Sequence, residues 1–490
     1  SKTPRVRDAV VQLEGVAMLL LVMREHSKHA GVNEYATKAL ANLETTPEVC
    51  GTVLEQDGLK LLFNAMNRFQ KEENVEVGVS CALDHLLDLV VDSRAAFCKF
   101  SPLVVMETVL DSYRKNDELV YSVCGMLSSL SAELARKIGR FNQNLLDIVD
   151  DCMDQHKEDA HTETNVVKAV ACLSEDDKCR DFFIEKDTTT LVRNLLNDFQ
   201  TELPLVRMCY KAFLRFVTVP SCVEHLVEDD CIQLSDYILH RFIEDGELVR
   251  DVCDVLVTFG GRDEWVTSMG AVGLVNRCVL MLGRHSDRRD TVLSIVHLLH
   301  VLHRPCIQKS FEGSSVVTQL VECSSKYLSD LPALQEILDV LEEMCEFDPE
   351  RNALGDVVAF LVKGMRSYSN EKPLQRVACV LLARVSENRS NWTSLLKGEG
   401  VEAVIVASNT FPEDADIQHH ALEFFSRIAA DGECRDSLRA HDGVRCILEC
   451  MATNRTVKHV QQYGALTLRQ LTMEESNLRS RIHMLSEMEK

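Results

Sequence analysis

A pattern of glycine-opened apolar segments that returns about every 43 residues constrains this chain more than any other feature. One copy runs from Gly15 to Leu43. The run Gly15-Val16-Ala17-Met18-Leu19-Leu20-Leu21-Val22-Met23 reads as an apolar helix, and a polar break follows around His26–Gly31. Beyond the break, Ala36, Ala39, Leu40 and Leu43 recur at helical spacing, which predicts a second long helix. A unit of this size cannot bury its apolar face alone. Stacking on identical neighbours buries it, so the chain is expected to be one array of paired helices.

Two rows of positions carry the period. The first precedes each long apolar helix: Gly15, Gly58, Ser101, Gln143, Thr188, Asp230, Gly270, Gly313, Gly355, Gly400 and Gly443. Glycine suits these breaks because it tolerates positive φ and close backbone approach. The second row lies near the end of each unit: Asn42, His85, Ser129, Cys172, Arg215, Thr258, Val301, Glu343, Arg384, Arg427 and Gln470. Pro204, Pro332 and Pro373 fall at the entrance of the later helix, where a missing N–H has no partner to lose. Pro412 stands in the loop before such a helix, followed by Glu413-Asp414. No alternating run or Asn-Gly pair predicts strands.

Composition narrows the function. The formal net charge is −23 over 490 residues, which disfavours general binding to nucleic acid and to anionic membranes. No apolar run reaches the roughly 18–20 residues that span a bilayer, so membrane insertion is not expected. The opening Ser1-Lys2-Thr3-Pro4-Arg5 does not read as a secretory signal. The 19 cysteines are scattered, and Cys81, Cys124, Cys172, Cys253 and Cys379 sit in apolar helical runs. They read as small, reduced core residues of a chain from a reducing compartment. The sequons at Asn388, Asn391 and Asn454 then carry no glycan.

The unit resembles the armadillo repeat: a short helix, a glycine-opened leucine-rich helix, and a longer helix ending like Ala-Leu-x-Asn-Leu. Gly15–Leu43, Gly58–Leu86, Gly400–Ile428 and Gly443–Leu471 carry the likeness, and the related HEAT repeat is the alternative. Short first helices are expected at Glu48–Gln56, Arg94–Lys99, Lys178–Glu185, Cys222–Val227, Trp265–Met269 and Arg435–His441. The resemblance implies an all-α chain, a right-handed α-solenoid superhelix of about eleven armadillo repeats. Residues 1–13 would form an N-terminal capping segment, 14–473 the array, and 474–490 a C-terminal capping helix or tail.

In armadillo proteins the last helix of each unit lines a concave groove that holds partners as extended peptides. The resemblance therefore implies a groove containing Asn42, His85, Lys168, Lys211, Arg215, Asp254, Glu343, Arg384 and Arg427. The asparagine ladder of nuclear-import adaptors is absent, since Asn42 is the only asparagine in its row and Trp265 and Trp392 lie elsewhere. Lys168, Lys211 and Arg215 are expected to gather and hold an acidic or C-terminal segment of a partner by charge-assisted hydrogen bonds. The competing reading is a solvated face whose charges pair with nearby Asp and Glu.

His297, His300 and His303 drift around one helix and read as surface or groove lining rather than a metal site. His419 and His420 are adjacent and are expected to point apart. Cys446 and Cys450 stand one turn apart and read as core. No nucleotide, hydrolase, zinc-protease or EF-hand motif is present, and no enzyme activity and no cofactor are expected. The leading expectation is a non-enzymatic scaffold or adaptor of the eukaryotic cytoplasm, with cytoskeletal association by analogy. A chaperone array resembling the myosin chaperones, or the regulatory region of a larger protein, is the alternative. Oligomeric state is open.

Overall fold

The computed structural model describes residues 4–44, 46–132, 134, 143–311, 315–346 and 355–472. Every regular element among the described residues is helical. The chain forms two compact units, Ser1–Ile238 and Leu239–Lys490.

In the first unit, second helices Gly15–Glu25, Gly58–Arg68, Leu103–Ser112, Gln143–Gln155 and Thr188–Asp198 alternate with longer third helices. The third helices are Ala30–Leu43, Glu73–Leu89, Asp117–Ser129, Ala160–Leu173 and Leu203–Phe216, each packed on the next. Short first helices precede the pairs at Pro47–Glu55, Val91–Cys98, Asp177–Glu185 and Pro220–Glu228, matching the expected segments. The helix Pro4–Gln12 packs against Gly15–Glu25.

The second unit repeats the plan. Its third helices are Gly246–Thr258, Arg289–Leu302, Leu331–Glu346, Lys372–Val385, Ala415–Ile428 and 458–472. Its second helices are Leu274–His285, Val316–Ser324, Gly355–Ser367, Gly400–Thr410 and Gly443–Thr453. Pro332 and Pro373 lie in the first turn of their third helices, and Asp414 caps Ala415–Ile428 by accepting from Ile417 N–H. The cores are aliphatic and aromatic: Leu20, Leu62, Phe213, Phe259 and Phe424 are fully buried. A buried leucine contributes about 2 kcal/mol.

One hydrogen bond recurs eleven times and defines the repeat. The N–H of the residue just before each third helix donates to a carbonyl three residues back. The acceptors are His26, Phe69, Tyr113, His156, Phe199, Phe242, His285, Tyr327, Tyr368, Phe411 and Asn454. Ten of these eleven are aromatic or histidine, and several tie one repeat to the one before. Tyr113 Oη donates to Gln70 O, and Tyr327 Oη to Ser286 O. His156 Nε2 lies 2.6 Å from Arg114 O, His285 Nε2 lies 2.6 Å from Ile243 O, and Asn454 Nδ2 donates to Pro412 O. Each bond ends on the carbonyl just past the equivalent corner residue of the preceding repeat, so a carbonyl that the helix leaves open is satisfied from next door.

A second set of corner ties comes from inside the third helix. Gln375 Nε2 donates to Met365 O and Tyr368 O, and Gln418 Nε2 to Ser408 O and Phe411 O. Gln461 does the same to Met451 O and Asn454 O, while Asn33 Nδ2 reaches His26 O and His29 O. Glu76 and Glu163 occupy this same position in the second and fourth repeats, in register with the carbonyls of Phe69 and His156. Both carboxyls are fully buried and accept no hydrogen bond. Burial pushes them up to about 8 and about 9, so near neutral pH they carry a proton and can donate as glutamine does.

The anchors need correction in two respects. The left-handed residue at the first corner is the one before the anchor, and it is usually not glycine: Glu14, Asp57, Ser101, Asp187, Asp230, Glu399 and Asp442 all have φ near 60°. The glycine that follows serves close approach. A Cβ on Gly58 would overlap Val53 Cγ1 and lie 2.6 Å from Val53 O; one on Gly443 would lie 2.5 Å from Leu438 O. Gly270 is not an anchor. It belongs to the short helix Asp263–Ala271 against Ile307, and Gly273, with φ 88°, makes the turn into Leu274–His285. Ser101 and Asp230 are themselves the left-handed residues, so their anchors fall one position later. Gly313 and the segment 474–490 lie outside the described residues.

Candidate functional site

The second row lies along successive third helices. In the first unit Asn42 is exposed, but its Nδ2 donates to Lys38 O of its own helix. His85 is half-buried, with Nδ1 3.1 Å from Ala41 O of the preceding repeat and Nε2 3.9 Å from Cys81 Sγ. Lys168 and Lys211 both face the thiol of Cys172, so the structure brings them together on neighbouring third helices. Their charges are not equally available. Lys168 Nζ lies 3.7 Å from Asp88 Oδ1, two repeats back. On the intervening helix, the missing side chain of Gly125 makes room for the Asp84 carboxylate; a Cβ there would lie 2.7 Å from Asp84 Oδ2. Arg215 Nη2 pairs with Glu175 Oε1 at 2.6 Å. Lys211 is exposed and forms no ion pair among the described residues. The expected basic cluster is thus one open cation flanked by two that are already paired.

In the second unit the row is a network. Asp254 is partly buried, which raises its carboxyl above the usual range although Ser294 donates to it. Glu343 Oε2 lies 2.6 Å from His300 Nδ1, and His297 Nε2 lies 3.0 Å from Glu336 Oε2. His297 and His300 thus face separate carboxylates, and His303 packs edge-on against Phe311; the three do not converge. Arg384 Nη1 stands 3.6 Å from Glu387 Oε1. Arg427 donates from Nη1 to Ala383 O and from Nη2 to both Glu387 and Glu423. Arg427 and His85 make equivalent ties, each to the carbonyl just before the row position of the preceding repeat.

His419 and His420 do not point apart. Their ring centroids are 4.6 Å apart, and both face Glu423. The reason is helical spacing: Glu423 is four residues from one and three from the other, so a single carboxylate draws both. The ring of His459, from helix 458–472, lies tilted against His419 with centroids 5.3 Å apart, and Tyr463 lies beside it. The hydrogen bond with His420, together with Arg427 and the two imidazoles, holds the Glu423 carboxyl down at about 2. His419 lies below its usual range, because it is partly buried and faces His420 and His459. His419, His420 and Glu423 are the residues here that could hold a metal ion. All three stand on one helix; the sequence reading missed the set because it took the adjacent histidines as pointing apart and did not weigh Glu423, one turn further on.

Cys446 and Cys450 are buried, 4.0 Å apart and unbridged, and both contact Ser408 Oγ. They pack in the core, as their spacing suggests.

A family model described as the LRRK2 ARM repeat matches residues 7–138. A search by sequence among curated proteins finds no match. Among solved structures, one from work on a phosphorylation switch controlling the interaction between cadherin and beta-catenin superposes with a TM-score of 0.62. It is 13% identical and covers 93% of this chain and 90% of its own. The structure of the SYS-1/POP-1 complex gives a TM-score of 0.56 at 13% identity, covering 90% of this chain and 87% of its own. Such identities speak to fold. With the three-helix unit, its left-handed corner and its recurring turn, they show that this chain has the armadillo-repeat fold.

Proposed function

We propose that the chain is a non-enzymatic scaffold that holds an extended segment of a protein partner along the third helices of its first unit. The observation that carries this reading is the ladder Asp117–Ser129, Ala160–Leu173 and Leu203–Phe216. It presents an exposed Lys211, with no ion pair among the described residues, beside the half-buried Cys172 and the paired Lys168 and Arg215. In a chain of net charge −23 a local cation selects for an acidic side chain or a terminal carboxylate. The relatives by fold support the class of partner: one belongs to an interaction between cadherin and beta-catenin, the other is a complex of SYS-1 with POP-1. The scaffold acts in the eukaryotic cytoplasm, in association with the cytoskeleton.

The double substitution Lys211→Glu with Arg215→Glu tests this. Loss of the partners labelled by proximity in cells, with helicity retained, is the expected result. The same set of partners at the same yield would contradict it.

A further inference from the structure

We propose that His419, His420, Glu423 and His459 form a binding site for a divalent transition-metal ion of the zinc class, on the third helices of the last two repeats. The donor atoms of the first three all lie within 4.8 Å of one another. His420 Nδ1 is 3.2 Å and His419 Nε2 3.9 Å from the same oxygen, Glu423 Oε2. Zinc bonds of about 2.0–2.1 Å in a tetrahedron place ligand atoms roughly 3.3 Å apart, so small side-chain rotations bring this set onto one ion. The chelate rests on regular geometry, because residues four and three apart share a helix face. His459 supplies the fourth ligand from the neighbouring helix, its ring tilted toward that of His419 with centroids 5.3 Å apart.

The surroundings fit a cation. Glu423 Oε1 is held by Arg427 Nη2 at 2.9 Å and by Tyr463 Oη at 3.5 Å, which leaves Oε2, bonded to His420 Nδ1, as the oxygen turned to the histidines. Arg427 is fixed in turn by Ala383 O and Glu387, the outer-shell arrangement that orients metal-binding carboxylates. The local charge is negative: Glu423, Glu387 and Asp416 outnumber Arg427 and Arg384. Three imidazoles and one carboxylate select zinc-like metals over calcium or magnesium, which take oxygen ligands.

The probe is Co2+ or Zn2+ alone, added to the full chain freed of metal. One equivalent of Co2+ should give the visible d–d absorption of a tetrahedral site, and Zn2+ should abolish it. His419→Ala and His459→Ala should each weaken Zn2+ binding by more than about a hundredfold, beyond the 10–100-fold typical of outer-shell changes. Arg427→Gln should fall within that outer-shell range. Circular dichroism checks that the variants keep their helices. If they do not, X-ray absorption of the zinc-loaded unmodified chain decides: a nitrogen and oxygen shell with imidazole scattering supports the site. A sulfur shell, no binding by the unmodified chain, or equal binding by folded variants would overturn it.

Discussion

Single residues set how this chain responds to pH. Glu76 and Glu163 stand where Gln375, Gln418 and Gln461 tie the corner, and burial keeps their protons on, to about 8 and about 9. Unfolded, each returns to the ordinary value of about 4.5. The folded state therefore binds more protons. The stability these carboxyls contribute is fully present below about pH 4.5 and is lost as pH rises toward about 8 and 9. Glu76→Gln should raise stability at pH 8 by about 3–4 kcal/mol and change it by less than about 1 kcal/mol at pH 5, as read by urea unfolding at both values. Tyr113→Phe removes one inter-repeat hydrogen bond, to Gln70 O, and should cost about 1 kcal/mol in the same assay. The row of Asn, Glu and Gln was not legible in the sequence, because these residues at one position share no hydropathy signal. Only the carbonyls they face make them equivalent.

At the scale of the element, the first corner joins a left-handed residue to a close-packed one. A non-glycine residue in that region costs roughly 1–2 kcal/mol. Glu14→Gly and Glu399→Gly should therefore raise the melting temperature, since both have φ 58°. Gly58→Ala should lower it, by about 1–3 kcal/mol in stability, because its Cβ would press on Val53. The opposite signs, one residue apart in the corner, separate conformational strain from crowding. The short first helices and the prolines were readable because their signals are local. Gly270 was misplaced because the stretch Gly270-Ala271-Val272-Gly273 offers two glycines, and only the φ of 88° at Gly273 tells them apart.

For the molecule as a whole, the period of about 43 residues carried the fold, since each repeat buries its apolar face on its neighbours. The candidate face was legible only as a row of residue types. Its electrostatics depend on partners far away in sequence: Glu175 for Arg215, 40 residues off, and Asp88 for Lys168, 80 residues off. Those pairs leave Lys211 as the cation to test. A photo-crosslinking side chain placed at position 211, on a third helix, can be compared with one at exposed position 228, on the first helix Pro220–Glu228. If a partner segment lies along the third helices, position 211 yields the crosslinked partner and position 228 yields none. Crosslinks of equal strength at both positions, or at 228 alone, would contradict the proposed mode of binding.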